Sequence, residues 1–500
     1  MAGTLLLSRF VFALPRGTCL IPRASMHADS PLPSQPPAGS YQAAVRDLNR
    51  LQTNYQMIQQ IKASGGRLNQ YSIPEFAAFV EKIGHRVADL DRLNVIHVTG
   101  TKGKGSTCAF VSSILSQLSP RPLKIGLFTS PHLIQVRERI QINGQPISQA
   151  AFAKYFYETY SRLKSPHPPL HKVSSESPDM PMYFRFLTLM AFHTFLQEQV
   201  DVAIMEVGVG GEFDSTNVIR NPVVCGIASI GLDHMNSLGS TLSEIAWHKA
   251  GIIKHNVPVF TVEQHPEALK VVCQRARDKQ APLQVVSPWE STRLGIPGAH
   301  QQVNAALAVA LCREWVRRTN YPADGEAWIF KGLEQAQWPG RSQTFVSPAN
   351  PQLSWHVDGA HTKESITACA RWFSHIPSKS NCILLFNAAH NRDAATLLAT
   401  LNEQLDCKFK LAVFCPNINA SRADSVNFTV ENDSKLAPQH EAAAAWKQIA
   451  QTPSKVLPSI NEAVAYIEQF SMDLNAPAHV LATGSLHLVG GVLDAAKGSI

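Results

Sequence analysis

The sequence predicts an α/β protein: an N-terminal phosphate-loop ATPase domain on a parallel sheet, followed by a smaller Rossmann-like α/β domain. Three observations carry this. From Asn94 on, short β-branched runs alternate with longer stretches of helical spacing, the pattern of a parallel sheet wrapped by helices. A turn rich in glycine and lysine stands between the first such run and a helical stretch, and a second alternating series opens near residue 354. The chain has 500 residues, 45% apolar and 17% charged, enough for sizeable cores. That excludes a collagen-like fibre and a disulfide miniprotein.

Residues 1–28 carry Arg9, Arg16 and Arg23, hydroxyl and apolar residues, and no acid before Asp29. This is the composition of a mitochondrial transit peptide. A secretory signal is the competing reading, but its charges would precede one apolar core, whereas these arginines are spread. Met26 is a second candidate start that would supply a cytoplasmic form beside the mitochondrial one. The proline-rich stretch 29–40 reads as a linker, so the expected domains are 1–40 (leader and linker), 41–335 and 336–500.

The net charge of +7 is mild for this length; the three leader arginines leave +4 from Met26 on. Basic residues are dispersed, not clustered with aromatics, so a nucleic-acid partner is not expected. Nine cysteines without a C-x-x-C pair point to a reducing compartment and no structural zinc. No apolar run reaches the roughly 18 residues of a membrane span. The richest, 184–196, is broken by Arg185, Thr188 and His193 and reads as a core helix.

Strands are expected at 95–98, 124–129, 202–207 and 223–229, with a hairpin turning at Asn143-Gly144. The second series places strands at 354–357, 382–387, 411–415 and 479–483. The stretch 165–181, rich in Pro, Ser and His, reads as a long surface loop. Triplets at Asn419 and Asn427 match the glycosylation pattern, which an intracellular chain leaves unused.

The sharpest signal is Thr99-Gly100-Thr101-Lys102-Gly103-Lys104-Gly105-Ser106. Glycines let the backbone turn its N–H groups toward phosphate, and a following helix adds partial positive charge. Lys104 is placed to reach the β- and γ-phosphates. Gly105 departs from the usual pattern, in which Ser or Thr follows the lysine to hold magnesium. An oxygen ligand is therefore sought at other strand ends, where ligands gather in open α/β sheets. Ser130, Glu206 and His234 are the candidates. Glu206 is the strongest, a carboxylate after an apolar strand and before Gly208, Gly210 and Gly211. The plain alternatives are an exposed strand-end acid for Glu206 and a structural histidine for His234.

The strings HVTGTKGKGSTCAF (97–110), TSPHLIQVRERIQINGQPIS (129–148), EVGVGGEFDSTN (206–217), IAWHKAGIIK (245–254), WPGR (338–341), VDGAH (357–361) and TGSLHLVGG (483–491) together resemble the folylpolyglutamate synthase family, animal type, within the Mur ligases. The resemblance implies a Mur-ligase-like central domain and an ATP-dependent ligase that adds glutamate to the γ-carboxyl of a reduced folate. It implies ATP and Mg²⁺, with K⁺ a further candidate, and a monomer with small-molecule partners in the mitochondrion, in the matrix or at the inner membrane, and in the cytoplasm.

Carried over, Gly100, Thr101, Lys102, Gly103, Lys104, Gly105 and Ser106 cradle the triphosphate. Ser130, Glu206 and His234 ligate magnesium. Asn304 and Arg341 contact ATP across the two domains, and Asp358 and His361 close over nucleotide and amino acid. Lys249 matches a lysine carbamylated in relatives, where the carboxylate-like group helps hold a second metal; its plain alternative is a phosphate-binding lysine. His361 is a candidate general base for the amine, or with Asp358 only orients its loop. Ser485 is a candidate glutamate contact or a helix cap. Dihydrofolate synthase of the same fold is the alternative activity.

Overall fold

The computed structural model describes residues 37–52, 67–290, 293–376, 380–388, 393–418 and 436–497. The leader, Met26 and both glycosylation triplets lie outside them. Fourteen strands form two sheets among the described residues. The first holds β1 (Ile96–Thr99), β2 (Ile125–Phe128), β3 (Ile140–Ile142), β4 (Gln145–Pro146), β5 (Val202–Glu206), β6 (Val224–Ile227), β7 (Val259–Val262) and β8 (Leu283–Val286). The second holds β9 (Gln343–Val346), β10 (Leu353–Val357), β11 (Cys382–Phe386), β12 (Phe409–Phe414), β13 (Ser454–Val456) and β14 (Ala478–Thr483).

The first sheet runs β4-β3-β2-β5-β1-β6-β7-β8 and is parallel except for the β2-β3-β4 turns. The Asn143-Gly144 hairpin forms with both residues at positive φ, 50° and 74°, as a primed two-residue turn requires. Alternation along β5 buries both faces. Val202 and Ile204 enter one core with the helices Lys104–Leu115 and Gln301–Thr319, while Ala203 and Met205 enter another with the helix Tyr183–Gln197. The expected core helix at 184–196 is that last helix, wholly buried from Phe186 to Phe195.

The second sheet runs β13-β12-β11-β14-β10-β9, parallel apart from the edge strand β9. Its faces are covered by the helices Ile460–Asp473 and Leu486–Lys497 on one side and by Lys363–Phe373, Ala394–Gln404 and Ala437–Ala450 on the other. The loop expected at 165–181 carries no helix or strand. None of the eight described cysteines is in a disulfide. No helix among the described residues is long and apolar enough to cross a membrane.

In the first sheet β1 is flanked by β5 and β6. The chain leaves β1 toward β2 and later crosses to β6, so the strand order reverses around β1. The carboxyl ends of β1, β2, β5 and β6 therefore open on one crevice, the usual ligand position in open α/β sheets.

Candidate active site

The loop after β1 is pinned from three sides. Thr101 and Lys102 donate their N–H groups to the Ser229 carbonyl at 2.8 and 3.1 Å, which ties the loop to the end of β6. The Thr99 hydroxyl donates to the Gly210 carbonyl at 2.7 Å, linking it to the glycine loop after β5. Gly103, at φ 84°, caps the helix that begins at Lys104. An ideal Cβ there would lie 2.1 Å from Asn304 Oδ1, so both its backbone angle and the space around it exclude a side chain.

Gly105 has a related explanation. An ideal Cβ at this position would lie 3.2 Å from Trp338 Nε1. The indole fills the place where an ordinary phosphate loop carries its hydroxyl residue. A side chain at 105 would thus press on the indole of the WPGR segment, which would have to give by a few tenths of an ångström.

Two lysines meet on one carbonyl. Lys104 Nζ donates to Gly100 O at 3.1 Å and Lys249 Nζ donates to the same oxygen at 2.8 Å. Lys249 is buried, and burial first, then the neighbouring Lys104 charge, pulls its ammonium down to about 7. Lys102 lies 3.4 Å from Asp233. His234, at φ 51°, starts a short helix beside these lysines; burial is the main cause that holds its imidazole below the ordinary range, and the lysine charges add to it.

Glu206 ends β5 and is 3% exposed. Its carboxylate accepts a 2.9 Å bond from the Ser130 N–H at the end of β2. Burial raises its carboxyl, while the charges of Lys104, Arg341 and Arg139 oppose the rise. The exposed-acid alternative is thereby excluded. The Glu206 carboxyl group is an oxygen donor of the kind a hard divalent cation takes.

Across the crevice, Arg341 is partly buried and feels both Asp358 and Glu206. Asp358, just past β10, accepts from the Ser342 N–H at 2.7 Å and the Ala360 N–H at 2.9 Å. It therefore fixes both the Arg341 segment and the loop that carries His361. His361 Nδ1 lies 2.7 Å from Gly359 O, and its N–H donates to Ser365 Oγ. Ser485 Oγ accepts from Asn417 Nδ2 and from the His487 N–H, both at 3.2 Å, so its hydroxyl does act as a cap at the head of its helix. Asn304 donates to Gln301 Oε1 at 2.9 Å, and Gln301 reaches Ser106 Oγ at 3.5 Å.

Lys104, Glu206, Ser130, His234, Lys249, Asn304, Arg341 and Asp358 are thus neighbours in one crevice. His361 and Ser485 stand at its second-sheet wall with the local bonds just given.

Three residues escaped the sequence reading. Arg139 is partly buried, donates to His132 Nδ1 at 2.9 Å and lies 5.6 Å from the Tyr183 ring. His132 is the second. Asp214 accepts from the N–H groups of Gly208, Val209 and Thr216, shaping the loop after Glu206. An acid in a GG-x-x-D string before a polar turn was the available signal for Asp214. Arg139 lay unremarked within TSPHLIQVRERIQINGQPIS.

No family model matches the chain. Curated relatives do. The chain is 40% identical to the mitochondrial folylpolyglutamate synthase of Homo sapiens, covering 93% of this chain and 92% of that one. The Bos taurus mitochondrial enzyme is 39% identical over 93% and 94%, and the Saccharomyces cerevisiae synthase 42% identical over 91% and 86%. Among solved structures, the apo form of L. casei FPGS aligns with a TM-score of 0.69 at 23% identity, over 92% of this chain and all of that one. Mycobacterium tuberculosis folylpolyglutamate synthase complexed with ADP aligns at 0.71 and 22%, over 92% and 99%. An FPGS-AMPPCP-folate complex aligns at 0.67 and 23%, over 92% and 100%. These structures share the fold, and the full-length identity near 40% goes further: the chain belongs to the folylpolyglutamate synthase family.

Proposed function

We propose that the chain extends a tetrahydrofolate by L-glutamate through its γ-carboxyl, with ATP converted to ADP and phosphate. One observation carries this beyond family membership: Lys104, Glu206 and Arg341, from the two sheets, face the same crevice. Amide formation from a carboxylate in water is uphill, so the carboxylate is first phosphorylated and the amine of glutamate then displaces phosphate. Both steps concentrate negative charge that fixed cations and N–H groups offset.

In this reading the loop 99–106 holds the triphosphate, with Lys104 on its terminal phosphates and Asn304 buttressing Gly103. Ser130, Glu206 and His234 would hold Mg²⁺, which when bound neutralises phosphate charge and aligns the transferred group. Lys249, drawn toward neutrality, has the nucleophilic amine that carbamate formation requires. Arg341 reaches the nucleotide from the second sheet, and Asp358 keeps it aimed. His361 and Ser485 stand on the glutamate side, His361 with its Nδ1 engaged by Gly359 O. Two α/β domains, 41–335 and 336–500, closing on the crevice would exclude water.

The relatives from cow and human bear the word mitochondrial in their names, which supports the leader reading of residues 1–28. A cytoplasmic form from Met26 and a monomeric state complete the proposal. The test offers tetrahydrofolate and, separately, dihydropteroate with MgATP and glutamate. Glutamyl transfer to tetrahydrofolate alone is expected; transfer to dihydropteroate would favour a dihydrofolate synthase.

A further inference from the structure

The segment after β2 joins the two sheets. At its base the Thr129 N–H donates to the Arg139 carbonyl at 3.1 Å. Within it, the Glu138 carboxylate gathers the N–H groups of Leu133 at 2.8 Å, Ile134 at 3.2 Å and Gln135 at 2.6 Å. Three consecutive backbone donors on one carboxylate leave the loop little freedom. At one end, Ser130 is bonded to Glu206. At the other, Leu133 and Ile134 leave their own sheet and pack on the core of the second one.

Leu133 is received by two glycines. An ideal Cβ on Gly490 would lie 2.1 Å from the Leu133 carbonyl oxygen. One on Gly340 would lie 3.0 Å from Leu133 Cδ2 and 3.1 Å from Val489 Cγ1. Gly340 immediately precedes Arg341, and Gly490 lies in the helix Leu486–Lys497 that follows Ser485. The Leu133 socket is therefore built from the two segments that bear the second-sheet site residues.

We propose that Leu133 is a positioning residue, a key that Glu138 holds out and Gly340 and Gly490 receive, setting Arg341 and Ser485 in register with Ser130 and Glu206. This rests on the functional reading above. It assigns no contact with substrate to Leu133; its action is through the segments it seats. A backbone oxygen against a glycine cannot yield as a flexible side chain can, so a methyl at 490 must displace the loop or the helix.

The test uses the full chain with tetrahydrofolate, glutamate and MgATP. Gly490→Ala is expected to lower kcat by about 10- to 100-fold, the scale of a displacement near 1 Å, and to raise the glutamate KM through Ser485 and the MgATP KM through Arg341. Leu133→Ala should move the same parameters less, and Leu133→Met should restore most of the loss. If Gly490→Ala does not fold, the Leu133 pair decides. Unchanged kcat and unchanged KM values in the folded variants overturn the proposal. A wild-type chain without glutamyl transfer contradicts the functional reading; an active wild type with indifferent variants contradicts the key alone.

Discussion

Asn304 occupies the space above Gly103: a Cβ on the glycine would fall 2.1 Å from the amide oxygen. The phosphate loop and the helix Gln301–Thr319 are therefore in contact at the one residue where the loop turns into its helix. Gly103→Ala would place a methyl on a backbone at φ 84°, costing about 1–2 kcal/mol from the left-handed conformation alone, and would push Asn304 away. A drop of at least about 100-fold in kcat/KM for MgATP is expected in steady-state kinetics, with a lower melting temperature.

Trp338 makes a second prediction about the loop. Gly105→Ser, which restores the ordinary phosphate-loop residue, is expected to raise the MgATP KM because its Cβ meets the indole. Combining it with Trp338→Phe, which removes the contacting Nε1 atom, should recover part of the loss. Improved MgATP binding in the single variant would contradict the packing account of this glycine.

Glu206 separates function from stability. Burial raises its carboxyl above 4.5, so the native state holds the proton more tightly than the unfolded chain. Stability from this group is full below the unfolded value and is lost as pH rises through the raised one. Glu206→Gln should flatten that slope in pH-dependent unfolding, hold or raise the melting temperature at pH 7, and reduce turnover by at least about 100-fold.

Lys249 has the opposite sign. Its ammonium is depressed from 10.5 to about 7, so the unfolded chain binds the extra proton between those values. The penalty for burying it is complete below pH 7 and fades as pH rises toward 10.5. In buffer freed of carbon dioxide, Lys249→Met should remove this rise in stability. With bicarbonate present, wild type alone should gain the mass of one carbon dioxide on the peptide bearing residue 249.

Asp358 holds two backbone donors. Asp358→Ala leaves the Ser342 and Ala360 N–H groups unpartnered, a loss of about 1–3 kcal/mol visible in denaturant unfolding. Asp358→Asn keeps an acceptor, so its stability loss should be smaller. Both remove the charge that Arg341 feels, and both should lower kcat.

Much of this was legible beforehand because it is local. The strand-turn-helix around Lys104 announces itself through glycine spacing, and Glu206 through an apolar run that ends in an acid. The strands at 95–98, 202–207 and 382–387 are short apolar runs, and the structure finds β1, β5 and β11 there. Strands β7, β8, β9 and β13 escaped. β8 and β9 are half-exposed edge strands without clean alternation, and β13 has three residues; edge pairing is set by neighbours the sequence does not order. The same limit hid Arg139, His132 and the Leu133 socket, whose meaning depends on which distant backbone comes close. Gly105 was visible as an exception, but Trp338, the residue packed against it, lies 233 positions along the chain.

The most direct measurement counts product. Purified protein with MgATP, glutamate and tetrahydrofolate is followed by mass for glutamyl units and, in parallel, for ADP. The account predicts a ladder of added glutamates with one ADP per unit, lost in Lys104→Ala and Glu206→Ala that still fold. ADP release indifferent to folate, or stimulated by nucleic acid with no ladder, would contradict it.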